Sequence, residues 1–90
     1  MTEVMIYTKS SGCPYCDRAK QLLQRAGLAY TEVEIDRHPE KRAEMIEKSG
    51  GLRTVPQIFI NGKHRGGCDD LYAYYKKHGT LLETSSGAPA

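Results

Sequence analysis

Apolar positions in the first part of the chain follow three different patterns. Residues 3–8 form an apolar, β-branched run without clean alternation, which is typical of a strand buried on both faces. Apolar side chains then recur at helical spacing from Cys16 to Ala26, and Pro14 suits the first turn of that helix. Residues 29–35 alternate between polar and apolar side chains. The pattern therefore predicts a strand, a helix and a second strand.

A second helix is expected from Pro39 to about Lys48, because proline suits a first helical turn and a serine with two glycines follows the apolar positions. Its expected core-facing residues are Ala43, Met45 and Ile46. Residues 57–61 then predict a third strand. The Asn-Gly pair at 61–62 is a strong signal for a tight hairpin, so a short return strand is expected at 63–65.

The last predicted helix is marked by charge at both ends. Asp69 and Asp70 lie at its start and Lys76–His78 at its end, and both sets of charges complement the helix dipole. Its expected apolar stripe consists of Leu71, Tyr72 and Tyr75.

The predicted elements occur in the order β-α-β-α-β-β-α. The first β-α-β unit requires two parallel strands joined by a right-handed crossover, and the hairpin adds an antiparallel pair. The expected fold class is therefore α/β, with a four-stranded mixed sheet flanked by helices. Residues 1–83 are expected to form one domain, and the small polar residues 84–90 a disordered tail.

Composition narrows the classes of function. Charged residues make up 27% of the chain, which is ordinary for a folded domain. The net charge is only +2 and no basic stripe is present, so nucleic acid is not an expected partner. The apolar runs are too short for a membrane helix, and Met1-Thr2-Glu3 lacks the features of a signal peptide. We therefore expect a cytoplasmic protein without a membrane partner.

Three cysteines suggest chemistry rather than a disulfide framework, because an odd number cannot all pair within the chain. Cys13 and Cys16 form a Cys-x-x-Cys pair, which in a reducing compartment is more typical of catalysis or metal binding than of a permanent crosslink. A structural zinc site needs four ligands, and neither Cys68 nor the three histidines provide a second pair at ligand spacing. Pro14 at the helix start also disfavours two ordinary buried cysteines. We therefore expect no metal.

The two paired cysteines have different expected roles. Cys13 lies at or next to a helix N-terminus, where free N–H groups and the helix dipole favour an anion. Such a position lowers a cysteine pKa from ~8.5 into the range of ~3.5–7.5. Cys16 lies one turn later, on the same face but more covered. Cys13 is therefore expected to attack a disulfide, and Cys16 to resolve the mixed disulfide that forms.

Residues 53–57 contain a proline at the start of a strand, since Pro56 cannot donate to a central ladder. A cis bond before Pro56 would leave the backbone of Val55 free to pair with an extended peptide. Base rates alone favour an ordinary trans proline instead.

Residues 66–70 have the sequence Gly-Gly-Cys-Asp-Asp. The two glycines allow a ligand to approach the backbone closely, and the following helix N-terminus offers N–H groups to a carboxylate. The two aspartate side chains could bind an ammonium group. The turn would therefore suit an α-amino acid, although plain N-capping by aspartate accounts for it equally well. Lys9, Arg42 and Arg53 are singly typical of solvated surface charges, but together they would flank the site if the fold brings them near Cys13.

Three motifs in this order resemble the glutaredoxins: Cys-Pro-Tyr-Cys at 13–16, Thr-Val-Pro at 54–56 and Gly-Gly-Cys-Asp-Asp at 66–70. The similarity is greatest to the small dithiol glutaredoxins of bacteria. It implies a thioredoxin fold, a cis peptide before Pro56 and a monomer that reduces glutathione mixed disulfides and protein disulfides. It implies glutathione as the reducing co-substrate and no tightly bound cofactor. The implied protein partners are glutathionylated or disulfide-containing proteins.

The resemblance also implies which residues act. Cys13 and Cys16 are the expected catalytic pair, and the backbone at Val55 is expected to pair with the cysteinyl unit of glutathione. The turn at 68–70 would hold the γ-glutamyl end, and Lys9 with Arg42 would face the glycyl carboxylate. The expected glutathione-binding residues are Lys9, Tyr15, Arg42, Arg53, Thr54, Val55, Pro56, Gly67, Cys68, Asp69 and Asp70.

Two loops beside this site depart from the family pattern. Lys9 stands four residues before Cys13 instead of three, with Gly12 as the additional residue, and the segment 49–54 is one residue longer than usual. Some members of the family assemble an iron–sulfur cluster between two protomers, using the first cysteine and external glutathione, but Pro14 and the second active-site cysteine disfavour that alternative here. A thioredoxin-like electron donor is disfavoured because Pro-Tyr, rather than Gly-Pro, separates the two cysteines.

Overall fold

The computed structural model describes residues 2–81, and these form a sheet with helices on both faces. The elements are β1 (Val4–Thr8), α1 (Pro14–Arg25), β2 (Thr31–Glu34), α2 (Pro39–Lys48), β3 (Gln57–Ile60), β4 (Lys63–Gly66) and α3 (Cys68–His78). Within residues 2–81 no helix has the length and apolar character to span a membrane. The predicted domain end at residue 83 and the predicted tail at 84–90 lie outside the described residues.

The sheet has the strand order β2-β1-β3-β4. β1 runs parallel to β2 and antiparallel to β3, with Ile6 opposite Ile58 in the second pairing. β3 and β4 form the predicted hairpin, in which Asn61 and Gly62 adopt φ angles of +53° and +81°. Both values are left-handed, as a tight turn of this kind requires. The predicted element order and α/β class are therefore confirmed.

Alternate side chains of β1 enter two cores, which confirms that this strand is buried on both faces. Val4 and Ile6 pack with residues of α1 and α3, whereas Tyr7 packs with Met45 of α2. The Tyr7 hydroxyl donates a hydrogen bond to Glu44 of α2. Helices α1 and α3 therefore share one face of the sheet, and α2 covers the other.

Two predicted core positions are wrong. Ala43 is exposed, because α2 turns Met45 to the sheet and a residue two positions away lies about 200° around the helix. Tyr72 is 46% exposed, because α3 buries Leu71 instead. Tyr72 lines a cleft of about 500 Å³ between α1 and α3. The second strand is also shorter than the alternation predicts, since its pairing with β1 begins at Thr31.

Candidate active site

The Cys-x-x-Cys pair lies at the N-terminus of α1. Cys13 is the N-cap residue, Pro14 occupies the first turn, and the Cys16 N–H donates a hydrogen bond to the Cys13 sulfur at 3.2 Å. The two sulfurs form a disulfide. Cys13 is half-buried, whereas Cys16 is only 1% exposed. The predicted placement and the predicted difference in accessibility are both confirmed.

The loop that precedes Cys13 is hydrogen-bonded to the turn that follows β2. Ser10 donates two hydrogen bonds to Asp36, one from its backbone N–H at 3.1 Å and one from its hydroxyl. These bonds, the hydroxyl one most strongly, lower the pKa of Asp36. The additional residue, Gly12, has a φ of +70°, a left-handed conformation that favours glycine. Lys9 at the start of this loop is exposed.

A second loop, which precedes β3, carries the proline of the Thr-Val-Pro motif. The Val55–Pro56 peptide bond is cis, which confirms the expectation drawn from the resemblance. Pro56 is buried and Val55 is half-buried. The side chain of Gln57 returns to the loop and donates hydrogen bonds to the carbonyl and hydroxyl oxygens of Thr54, at 3.1 and 3.3 Å.

The turn before α3 lies directly against this proline. A Cβ atom built on Gly67 would stand 3.2 Å from the Pro56 carbonyl oxygen, and one on Gly66 would collide with the Asp70 carboxylate. Asp70 accepts a hydrogen bond from the Gly67 N–H at 3.4 Å. Asp70 therefore braces the turn from within the helix, which is the capping role that the sequence left open.

A cleft of about 340 Å³ connects these three regions. It is lined by eight of the expected glutathione-binding residues: Tyr15, Thr54, Val55, Pro56, Gly67, Cys68, Asp69 and Asp70. Lys9, Arg42 and Arg53 are exposed and lie outside this lining. The three motifs are thus brought together, whereas the three basic residues are not part of the cleft wall.

Two lining residues, Leu52 and Gln57, were not predicted from the sequence. Leu52 is 44% exposed, and a large apolar side chain in a glycine-rich loop is the signal that would have indicated it. Gln57 is buried at 2% exposure, and its polar side chain at the start of an apolar strand was the available signal.

Cys68 is the free cysteine of the site, and it is 6% exposed. Burial raises the pKa of its thiol, the Asp69 carboxylate adds to the effect, and the Arg18 guanidinium opposes it. Cys68 is therefore a protonated thiol at neutral pH. No group of three or more histidine, cysteine, aspartate or glutamate side chains in the described part of the chain is placed to bind a metal ion.

A sequence model of one family, described as Glutaredoxin, matches residues 4–65. The chain belongs to the glutaredoxin family. Glutaredoxin 3 of Escherichia coli strain K12 is 58% identical over 73 residues, which cover 81% of this chain and 86% of that relative. Membership of this family supports a function as a thiol–disulfide oxidoreductase. The Cys13–Cys16 disulfide fits a dithiol active site.

Solved glutaredoxin structures share the architecture. The solution structure of glutaredoxin from Brucella melitensis has a TM-score of 0.73 and 54% identity, covering 87% of this chain and 83% of that one. A buckwheat glutaredoxin–glutathione complex has a TM-score of 0.74 and 34% identity, covering 89% and 73% of the two chains. The fold is therefore the thioredoxin fold of the glutaredoxins.

Proposed function

We propose that this glutaredoxin uses glutathione to reduce glutathione mixed disulfides and protein disulfides. The observation that carries the proposal is the cleft of about 340 Å³, which collects eight expected glutathione-binding residues from three separate segments. Tyr15, which stands between the two cysteines of the pair in the sequence, is the residue of α1 that lines the cleft. The buckwheat relative was solved as a complex with glutathione, which agrees with this assignment.

The reaction starts with the reduced Cys13 thiolate. It attacks the glutathionyl sulfur of a mixed disulfide, a bond forms between Cys13 and glutathione, and the protein thiolate leaves and takes a proton. A second glutathione thiolate then attacks the glutathionyl sulfur, which releases oxidised glutathione and restores Cys13. For a protein disulfide, Cys13 attacks one sulfur and forms a mixed disulfide with the substrate. The Cys16 thiolate then attacks the Cys13 sulfur, which forms the Cys13–Cys16 disulfide and releases the substrate as a dithiol. Two glutathione molecules reduce the Cys13–Cys16 disulfide and leave as oxidised glutathione.

The middle of glutathione would be held by backbone contacts. Val55 is the lining residue next to the cis bond, and its peptide groups would pair with the cysteinyl unit. The first backbone hydrogen bond of α3 runs from the Leu71 N–H to the Gly67 carbonyl oxygen. The N–H groups of residues 68–70 therefore have no partner within the helix and are available for the γ-glutamyl carboxylate.

The ammonium group of the γ-glutamyl unit would lie at Asp69 or Asp70. Asp70 already accepts a hydrogen bond from Gly67, whereas the Asp69 carboxylate has no hydrogen bond or ion pair within residues 2–81. The glycyl carboxylate at the other end would meet Lys9 and Arg42, with Arg53 along the groove. These three side chains are exposed, so their contribution would be screened by solvent and salt.

We further propose that the protein acts as a monomer in the cytoplasm on glutathionylated or disulfide-containing proteins. The cleft that we assign to glutathione is built from one chain. The cytoplasmic glutathione pool keeps thiols reduced and would supply the electrons.

The decisive experiment follows NADPH oxidation with glutathione, glutathione reductase and a cysteine–glutathione mixed disulfide as substrate. We expect turnover that depends on both glutathione and this protein. The matched arm replaces glutathione and its reductase with thioredoxin reductase, and we expect no turnover. Activity only in the second arm, or a brown iron–sulfur chromophore in anaerobically purified protein without reductase activity in the first, would overturn the proposal.

A further inference from the structure

The amide of Gln57 makes hydrogen bonds in two directions, although the side chain is 2% exposed. Its nitrogen donates to the Thr54 carbonyl at 3.1 Å and to the Thr54 hydroxyl at 3.3 Å. Its oxygen lies 2.7 Å from Nε2 of His64, on the neighbouring strand β4. The side chain therefore bridges the hairpin and the loop that carries the cis proline.

The chemistry of these three groups determines where their protons lie. A backbone carbonyl only accepts, so the Gln57 atom that faces Thr54 must be the amide nitrogen. The amide oxygen then faces His64, and an amide oxygen also only accepts. Nε2 of His64 must therefore carry a proton, whether the ring is neutral or charged. The ring is held in this direction by packing on Phe59, with centroids 5.0 Å apart.

We propose that Gln57 is a positioning residue for glutathione and that His64 sets the direction of its amide. Thr54 and Gln57 bracket Val55 and Pro56, so the amide closes the loop around the backbone that would pair with the cysteinyl unit. This inference rests on the proposed function, because it assigns the loop to glutathione. A loop that is already ordered loses less conformational entropy when the substrate binds, so the amide should lower the Michaelis constant.

The first test replaces Gln57 with glutamate, which has nearly the same shape but places a carboxylate oxygen against the Thr54 carbonyl. We expect KM for the glutathione mixed disulfide to rise roughly tenfold or more, as for a buried hydrogen bond turned into repulsion. The rate at which iodoacetamide alkylates reduced Cys13 should stay unchanged, because that reaction does not use the loop. Gln24→Glu, on the exposed side of α1, adds the same charge and should leave both values unchanged.

His64→Phe keeps an aromatic ring on Phe59 but removes the donor to Gln57. We expect a smaller rise in KM, of a few-fold, because the Thr54 bonds remain possible. An unchanged KM in Gln57→Glu would overturn the proposal. So would a KM that rises only in proportion to a loss of thermal stability, with Cys13 alkylation altered alongside.

A measurement on the unmodified protein keeps the inference falsifiable if both variants fail to fold. Nitrogen-15 NMR of the histidine rings at pH 8 should show the His64 proton on Nε2. A neutral ring with its proton on Nδ1 would overturn the assigned direction of the amide. This readout needs no activity, so it separates failure of the inference from failure of the glutathione-dependent reaction.

Discussion

Two helices contribute their N-termini to the same cleft, but they are capped in different ways. Helix α1 is capped by the Cys13 sulfur, which accepts the Cys16 N–H at 3.2 Å. Helix α3 is braced by Asp70, whose carboxylate accepts the Gly67 N–H at 3.4 Å. The cap of α1 is thus the sulfur that we propose as the reacting atom, whereas the brace of α3 is an aspartate side chain that takes no part in the proposed exchange.

The free N–H groups at the two helix starts have different roles. N–H groups at a helix start favour negative charge. At α1 the Cys16 N–H faces the Cys13 sulfur, which can become negative only when the disulfide is reduced. We expect this position to favour the thiolate in the reduced protein. At α3 the Asp70 side chain accepts the Gly67 N–H, and we propose that the remaining N–H groups bind a substrate carboxylate. We infer that α1 serves the chemistry and α3 serves binding.

The largest expected effect comes from replacing the thiol of Cys13, the N-cap residue of α1 and the proposed nucleophile. Cys13→Ser should abolish turnover of both mixed disulfides and protein disulfides. Serine is a good N-cap, so the Cys16 N–H keeps an acceptor and the helix should remain folded. The coupled glutathione assay and circular dichroism together check this expectation. Substantial residual activity in a folded variant would refute the assignment of Cys13 as the nucleophile.

Cys16→Ser should separate the reduction of glutathione mixed disulfides from the reduction of protein disulfides. Removal of a glutathionyl group needs one enzyme thiol and should continue, whereas reduction of protein disulfides should be lost without the resolving thiol. Because Cys16 is 1% exposed, serine would bury a hydroxyl, so Cys16→Ala is the matched control for folding. Equal losses of both activities in both variants would assign Cys16 another role.

Binding should depend more on α3 than on the basic residues. Charge-assisted hydrogen bonds contribute ~1.5–3 kcal/mol, so Asp69→Ala or Asp70→Ala should raise KM for glutathione roughly tenfold or more. Lys9→Ala should change KM only a few-fold, because Lys9 is exposed. Higher salt should first weaken binding of the glycyl carboxylate, because the basic residues expected there are exposed.

Asp70→Asn separates the two roles of that residue, because it keeps an acceptor for the Gly67 N–H but loses the charge. We expect its KM to lie between those of the unmodified protein and Asp70→Ala. Steady-state kinetics at two salt concentrations measure the whole series. If Lys9→Ala proved the most damaging, the division between a binding α3 and exposed basic residues would be wrong.

The smallest effect is expected at Cys68, the first residue of α3. Burial raises the pKa of its thiol, so little thiolate forms at neutral pH and the amount grows only as the pH rises above the usual cysteine range. Cys68→Ser and Cys68→Ala should both leave turnover within a few-fold. Mass spectrometry of the reduced protein should show iodoacetamide on Cys13 well before Cys68. Early alkylation of Cys68 would contradict its role as a buried, unreactive thiol.

The sequence by itself determined the element order, the hairpin and the position of Cys13. These features depend on interactions within a few residues: Pro14 suits a first helical turn, and Asn61 with Gly62 adopts the two left-handed conformations of a tight turn. The relative accessibility of the paired cysteines also followed from local geometry, because Cys16 lies one turn into an amphipathic helix. The cis bond at Pro56 came only from the family resemblance.

Only the tertiary structure decided what lines the cleft. Leu52 and Gln57 line this cleft, Tyr72 lines the separate cleft between α1 and α3, and Lys9 lies outside both linings. None of these placements depends on near neighbours in the chain. They result from sheet pairing and helix packing, which bring the cis-proline loop and the start of α3 to the cysteine pair. Periodicity indicates which face of a helix is apolar, but only packing decides how much of that face its neighbours cover.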